Sequence, residues 1–569
     1  MSLPFTMTPH NFSLVTTFLL LFAAAIGGGT IARVTKQSAI VGYIAAGILI
    51  GNMARGVIDH GVLGSIAQVG VTLLLFTLGV EFSFLRLKCI IRSVLVPAIL
   101  QIGVSILVFF LFAAGLGLGA VPAIFIAAAF SLSSTAVVVK ILSERGELET
   151  VPGETATGWL VIQDLAVIPM MVVLPAIAGG NIVSILGAIA VSGIVAGAVV
   201  MLGRVVIPRL IRAAAGLGSR ELLLVTTSAI VFLVAVIFHA GGLSAALGAF
   251  VAGLIIAGTS QNHAIFAEIR PLRDLFAVVF FVAIGMSVPV SFVVSNLRTV
   301  LFFLGIVVAW KWIVVYVLLR RWGSHPKTAF FVGLSLTQVS EFGFVIAGLG
   351  ASLGVLSADA EAIVIAVIFA ALFVTTPLIS NVHSIYYWLA KRIPAFRLGG
   401  YAPRPQVDEQ YPIEKHVVIC GYGRVGRYIG RALEMANLPF LVVDYNHQTV
   451  KALRERGLPV VYGDPADKEV LDYAQVDLAR AIVIAIPDQH TQELVIAHAQ
   501  TLNRRIKIIC RTHHEEDQAR LKSLGVTYIV QPEFEAAISV VLRLLPEFGV
   551  PADEVSGKVS RLKIEHGLG

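Results

Sequence analysis

The stretch GWLVIQDLAVIPMMVVLPAIAG, Gly158–Gly179, decides the fold. It is an apolar run of membrane-crossing length that contains a single charged residue, Asp164. An Asp at the centre of a membrane helix costs roughly 2.5–3.5 kcal/mol on insertion scales, so it faces a partner or an aqueous cavity. Such a carboxylate can hold either a monovalent metal cation or a proton, the minimal equipment for exchanging one against the other. Gln163 precedes it. Adjacent helical residues diverge by about 100°, so one of the pair points into the cavity and the other flanks it. Pro169 follows and is expected to kink the helix and free a carbonyl nearby.

The rest of the chain fits a polytopic membrane protein. Its 569 residues are 57% hydrophobic and 14% charged, with a mean hydropathy of +0.87, which excludes an ordinary soluble helical protein. Charge is unevenly spread. From Tyr411 onward there are 19 basic and 20 acidic residues; the preceding part holds 23 and 15. Two bodies are implied, a membrane unit and a soluble one. The basic excess belongs to the membrane half and reflects topology, so no nucleic-acid partner is expected. Cys89, Cys420 and Cys510 offer neither a disulfide framework nor a zinc spacing. The first apolar run has no Lys or Arg before it and reads as a retained helix.

Breaking residues 1–392 at polar and Gly-rich joints gives about thirteen spans in the bilayer. Every second loop carries the basic residues, such as Arg86, Lys88 and Arg92, or Arg320, Arg321 and Lys327; the alternate loops hold only Arg55 and Arg298. That bias predicts an N-terminus outside and a C-terminal domain in the cytoplasm of a bacterial-type inner membrane.

Two of these spans are interrupted by polar residues. The fifth contains FSLSSTAVVVK, with Ser133, Ser134 and Thr135; the twelfth contains GLSLTQVSEFGF, with Gln338 and Glu341. They lie in corresponding places of two halves of opposite orientation, the signature of an inverted repeat whose broken helices cross at the midplane. Freed carbonyls and half-helix ends there can coordinate a cation. Lys311 lies well inside a span and reads as a buried counter-ion, either to Asp164 or to the crossed helices. The monovalent cation and proton site is therefore expected at Asp164, with Gln163, Ser133, Ser134, Thr135, Lys311, Gln338 and Glu341 around it.

Residues 393–414 are rich in Pro and Gly and read as a linker. Then HVVICGYGRVGRYIG predicts a strand, a glycine turn and a helix, with Gly421, Gly423 and Gly426 in a G-x-G-x-x-G spacing. Asp444 ends the next apolar run about twenty residues on, where it can accept from ribose hydroxyls. This favours AMP, NAD(H) or a related adenosine nucleotide over a 2′-phosphorylated one. LPVVYGD with Asp464, ARAIVIAIPD and RIKIICRTHH continue the alternation and predict a parallel sheet over 415–545, leaving 546–569 as a short tail.

The stretches Phe130–Leu142, IQDLAVIPM, DLFAVVFFVAIGMSV and LTQVSEFGFV resemble the monovalent cation:proton antiporter-2 family, and among its members the Kef-type potassium/proton antiporters. The resemblance covers almost the whole chain. It implies a thirteen-helix antiporter with a dimerisation scaffold and a core that moves like an elevator. In that family the Gln–Asp pair stands where electrogenic sodium/proton antiporters carry Asp–Asp, so one ionisable carboxylate remains here and one-for-one, electroneutral exchange is expected. The C-terminal part resembles the RCK/KTN (TrkA-N) nucleotide-binding domain. That likeness implies regulation by nucleotide at Gly421, Gly423, Arg424, Val425, Gly426, Asp444, Asp464 and Arg511. It also implies a homodimer, and leaves open an ancillary regulatory subunit. Around His513 and His514 the sequence departs from the RARD-like pattern of glutathione-gated members.

The expected fold is thus a polytopic α-helical membrane protein with crossed broken helices, followed by a cytoplasmic α/β Rossmann-like domain. The transported ion is K⁺ by resemblance, with Na⁺ as the alternative. A ligand-gated K⁺ channel is a further alternative, but no TVGYG-like filter occurs in the sequence. An enzyme is not expected: the dinucleotide fold is followed by no substrate domain.

Overall fold

A computed structural model describes residues 9–565, apart from 36, 54–59, 82–83, 149, 180–181, 242–244, 287, 393–414 and 513–515. The expected linker, His513 and His514 therefore lie outside the described residues. The chain divides into two compact units. The first comprises Met1–Val139, Thr155–Trp322 and Phe330–Val382; the second comprises Lys140–Glu154, Gly323–Ala329 and His383–Gly569.

The helices in chain order are α1 (Pro9–Val34), α2 (Ala39–Met53), α3 (His60–Glu81), α4 (Phe84–Gly115), α5 (Ala120–Ser131), α6 (Thr135–Glu144), α7 (Val151–Ala178), α8 (Ile182–Gly216) and α9 (Arg220–Ala240). They continue with α10 (Ala245–Ala257), α11 (Asn262–Met286), α12 (Val290–Ser295), α13 (Leu297–Arg321), α14 (Pro326–Ser335), α15 (Phe342–Ser352), α16 (Ala358–Ser380) and α17 (Val382–Arg392). Six stretches among the described residues are long and apolar enough to cross a membrane, by length and composition, and shorter apolar helices accompany them. Two bundles are visible within the first unit. In one, α1–α3 pack with α10 and α11; in the other, α4 packs with α5 and α13, and α15 and α16 with these. Small residues set the first bundle's spacing. A Cβ on Gly253 would meet the backbone carbonyl of Phe76, and one on Gly79 that of Phe250, so α3 and α10 touch backbone to backbone.

The second unit is built on six parallel strands: β1 (Val417–Cys420), β2 (Phe440–Asp444), β3 (Val460–Tyr462), β4 (Ala481–Ile484), β5 (Lys507–Arg511) and β6 (Tyr528–Val530), in the order β3-β2-β1-β4-β5-β6. Helices α18 (Arg424–Met435), α19 (His447–Glu455), α20 (Lys468–Tyr473), α21 (Gln489–Leu502) and α22 (Glu516–Ser523) alternate with them. A parallel sheet covered on both faces needs nearly continuous apolar strands, and VVIC, FLVVD and AIVI supply them. One layer of core is centred on Val418, Val443, Ile482 and Ile508; a second, on the opposite face, on Ile419, Phe440, Val442 and Leu453. Strand order reverses between β1 and β4, which opens a crevice at the carboxyl ends of the strands. The boundary expected at 545 falls inside α23 (Pro532–Glu547), and the tail carries α24 (Ala552–Glu565). Ile538, Val555 and Val559 join these two helices in a small apolar cluster, which is why the segment is helical.

Candidate ion site and nucleotide crevice

The two interrupted spans are broken where the polar clusters predict. Helix α5 stops at Ser131, Leu132 turns extended (φ −92°, ψ 155°), and the helix resumes as α6 at Thr135. Likewise α14 ends at Ser335 and α15 starts at Phe342. Several of the freed backbone groups are satisfied by the opposite break. Ser340 N donates to the Leu132 carbonyl at 3.1 Å. The Ser133 hydroxyl donates to the Leu336 carbonyl at 2.8 Å, and Gln338 Nε2 to the Ser134 carbonyl at 3.1 Å. Lys311 Nζ, fully buried on α13, donates to the carbonyls of Leu132 (2.5 Å) and Gln338 (2.6 Å), one in each break. Both carbonyls belong to the crossed breaks, the second of the two places expected for Lys311.

Helix α7 brings Gln163 and Asp164 to the same place. The Thr135 hydroxyl donates to Asp164 Oδ2 at 2.7 Å, and Ser133 N donates to Gln163 Oε1 at 2.8 Å. The angular divergence of the adjacent pair thus puts both on one break, two residues apart. Pro169 lies inside α7 and deprives the Leu165 carbonyl of its helical donor. Gln338 Oε1 and Glu341 Oε2 are buried with no hydrogen-bond donor among the described residues. Buried oxygens without donors are costly unless a cation or water joins them. Carboxylate, amide and hydroxyl oxygens are hard donors of the kind an alkali cation takes.

Sequence reasoning missed Gln101. It lies on α4, fully buried, and its carbonyl oxygen accepts from Gln163 Nε2 at 2.6 Å and from Trp159 Nε1 at 3.2 Å. The available signal was a long polar side chain in the apolar run VPAILQIGVSILVFF with Ser105 one turn on.

In the second unit, the glycine turn has the form its spacing requires. Gly421 has φ +89°, a left-handed value that disfavours any other residue, and a Cβ on Gly426 would strike the Gly421 carbonyl. Gly423 is the N-cap of α18, with Arg424 and Val425 opening the helix. Asp444 closes the turn from β2, its carboxylate accepting from Tyr422 N and Asn446 N, both at 2.7 Å. Burial pushes its carboxyl above the ordinary range, against the pull of those bonds and of Arg427. Arg511 ends β5. Burial lowers its guanidinium below the usual range, against the pull of Glu533, and the charge of Arg424 adds to the lowering.

Asp464 is engaged elsewhere. Its Oδ2 accepts from Lys327 Nζ at 2.9 Å and its Oδ1 from Ala466 N at 3.1 Å. Lys327 also donates to the Tyr387 hydroxyl (2.6 Å) and Thr491 Oγ1 (3.0 Å). Burial disfavours the ammonium, yet Asp464, Tyr387 and Asp488 outweigh it and hold Lys327 well above the usual lysine range. Asp464 is correspondingly held below the carboxylate range, Lys327 overcoming the effect of burial. Close by, His383 places Nε2 3.3 Å from Glu147 Oε1 and Nδ1 3.4 Å from Asp488 Oδ2. These three could hold a metal ion by distance, but each ring nitrogen already faces its own carboxylate. Cys420 and Cys510 are buried, and burial pushes the Cys510 thiol up to about 12, which fits packing rather than reactivity.

The signature "Sodium/hydrogen exchanger, transmembrane" matches residues 19–382. The putative cation/proton antiporter YbaL of Escherichia coli K12 is 31% identical over 563 residues, covering 96% of this chain and 99% of that protein. The chain belongs to the Kef-type cation:proton antiporter-2 family. A second signature, the TrkA-N domain, matches 417–532 of this antiporter. The glutathione-regulated potassium-efflux system protein KefC of Salmonella typhimurium is 32% identical to it, over 90% of this chain and 82% of that protein. The crystal structure of the TrkA-N domain of Escherichia coli YbaL is 30% identical over 24% of this chain and 99% of that one, with a TM-score of 0.23.

Proposed function

We propose that this antiporter exchanges a monovalent cation, K⁺, for H⁺, with both competing for the Asp164 carboxylate. The observation that carries this reading is the Thr135–Asp164 hydrogen bond, which joins an acidic side chain to the unwound segment of a broken span. Gln338 Oε1 and Glu341 Oε2 supply further oxygens to the same crossing. Gln163 is neutral, with its amide engaged by Ser133 N and Gln101, so one carboxylate serves the pair and one cation leaves for each proton that enters. The bonds between the two breaks favour an elevator-like movement in which α5–α6 and α14–α15 travel together. Potassium is favoured over sodium by the potassium-efflux function in the name of the KefC relative.

The second unit would bind an adenosine nucleotide in its crevice and set the rate of exchange. The glycine turn at the N-terminus of α18 suits a phosphate, Arg424 and Arg511 add positive charge, and Asp444 lies where ribose hydroxyls would reach it. Proteoliposomes holding the full chain and a pH-sensitive dye test both halves. An imposed K⁺ gradient should drive proton flux at a rate unchanged by membrane voltage, and AMP or NADH should alter that rate. Asp164→Asn should abolish the flux while the protein still elutes as a folded particle. Flux retained in Asp164→Asn would refute the assignment.

A further inference from the structure

All four hydrogen-bonding positions of the Gln101 side chain are used. Its oxygen accepts from Trp159 Nε1 (3.2 Å) and Gln163 Nε2 (2.6 Å), and its nitrogen donates to the Ser131 carbonyl (3.1 Å) and Ser105 Oγ (3.1 Å). Two of these partners admit only one polarity. An indole N–H can only donate, and a backbone carbonyl can only accept. Turning the Gln101 amide over would set its NH₂ against the indole N–H and its oxygen against the Ser131 oxygen. Its orientation is therefore fixed. Gln163 must then present its NH₂ to Gln101 and its oxygen to Ser133 N–H, at 2.8 Å, which is again a donor only. An ordered chain of bonds runs from α4 through α7 into the break that carries Thr135 to Asp164.

We infer that Gln101 is a positioning residue for ion exchange: it fixes the Gln163 amide and, through Ser133, the segment that shapes the Asp164 site. It also makes position 163 fit for a neutral group that donates at one end and accepts at the other. The inference rests on the proposed role of Asp164. Burial without solvent gives these bonds consequence, since Gln101, Trp159 and Gln163 are each at most 1% exposed.

The test is exchange by the full chain in proteoliposomes, titrated with K⁺ at several pH values. Gln101→Met keeps the length and loses the polarity. Releasing one hydrogen-bonded orientation is expected to raise the half-saturating K⁺ concentration about five-fold while the maximal rate changes less. Gln163→Met should act similarly, and the double variant should be no worse than the worse single one, because both break one chain. Gln101→Glu, as the acid, keeps an acceptor for Trp159 and Gln163 and can donate its O–H to Ser131. It should match wild type at acidic pH and fall away as pH rises and that proton leaves.

An unchanged half-saturation in Gln101→Met, effects that multiply in the double variant, or a wild-type pH profile in Gln101→Glu would each overturn the inference. If Gln101→Met does not fold, the pH profile of Gln101→Glu decides. Asp164→Asn in the same vesicles separates the two claims. Continued exchange there defeats the reading of Asp164 itself. Silence there with wild-type behaviour in the Gln101 variants defeats the role of Gln101 alone.

Discussion

Lys327→Met should open the second unit, because it leaves a carboxylate stranded. The Lys327 and Asp464 side chains are 5% and 4% exposed, so the pair is dry on both sides. Methionine fills similar volume but removes three donated bonds, to Asp464, Tyr387 and Thr491. Among the described residues Asp464 keeps hydrogen bonds from the Ala466 amide at 3.1 Å and the Tyr387 hydroxyl at 3.4 Å. Breaking one side of a buried pair costs about 3–5 kcal/mol, since the survivor stays charged and uncompensated. At about 1.4 kcal/mol per decade, backbone amides of β2–β4 should exchange hydrogen at least 100-fold faster, measured by mass spectrometry on the full chain at neutral pH. The pH dependence has a definite sign. In the wild type, Lys327 holds the Asp464 pKa below its unfolded value, so the pair's contribution is present above that value and lost as pH falls through the depressed one. In the variant burial is opposed only by the weaker pull of His325 and the remaining hydrogen bonds, so the folded pKa is expected to rise above the unfolded one. The penalty then grows above the unfolded pKa and is relieved on acidification. The double change Lys327→Met with Asp464→Leu should recover most of the protection. Wild-type exchange rates in Lys327→Met, or a double variant worse than the single one, would show that the pair does not hold the unit closed.

Three further outcomes are expected. Lys311→Met leaves the Leu132 and Gln338 carbonyls without their shared donor and should lower stability by about 1–3 kcal/mol, read as a lower melting temperature of the solubilised protein, with Lys311→Arg falling between. Asp444→Ala removes the acceptor for Tyr422 N and Asn446 N and should weaken AMP or NADH binding by calorimetry at least about ten-fold, with Asp164-dependent flux retained in the absence of nucleotide. Gly253→Val drives its Cβ into the Phe76 carbonyl and should cost about 1–3 kcal/mol by forcing α3 and α10 apart, checked by thermal unfolding; Gly305→Val, with open space around it, serves as the control.

What could be read beforehand followed from local chemistry. Polar clusters inside apolar runs cannot continue a membrane helix without consequence, so both breaks were visible at Ser133–Thr135 and at Gln338–Glu341. The glycine spacing and the apolar strands announced the parallel sheet for similar reasons. Partners were another matter. Lys327 read as a topology signal and Asp464 as one of the nucleotide-binding residues, yet they meet across 137 residues. A buried charge declares that it needs a partner and not which one. Lys311 shows the same limit, since its acceptors are backbone carbonyls, which every residue carries. Gln101 was hidden more completely, because a lone amide in an apolar helix reads as packing until the facing helix end is known.

The second unit's make-up has a practical corollary. Gly323–Ala329 and Lys140–Glu154 contribute Lys327 and Glu147 to it, and both residues are far from its sheet in the chain. A fragment cut at residue 393 would lack the ammonium that faces Asp464, and also His383, which stands between Glu147 and Asp488. Water would have to solvate both acids, so such a fragment should be less acid-labile at these sites and looser at neutral pH than the same sheet in the intact protein. Ligand affinities measured on the excised piece would then describe a differently charged crevice.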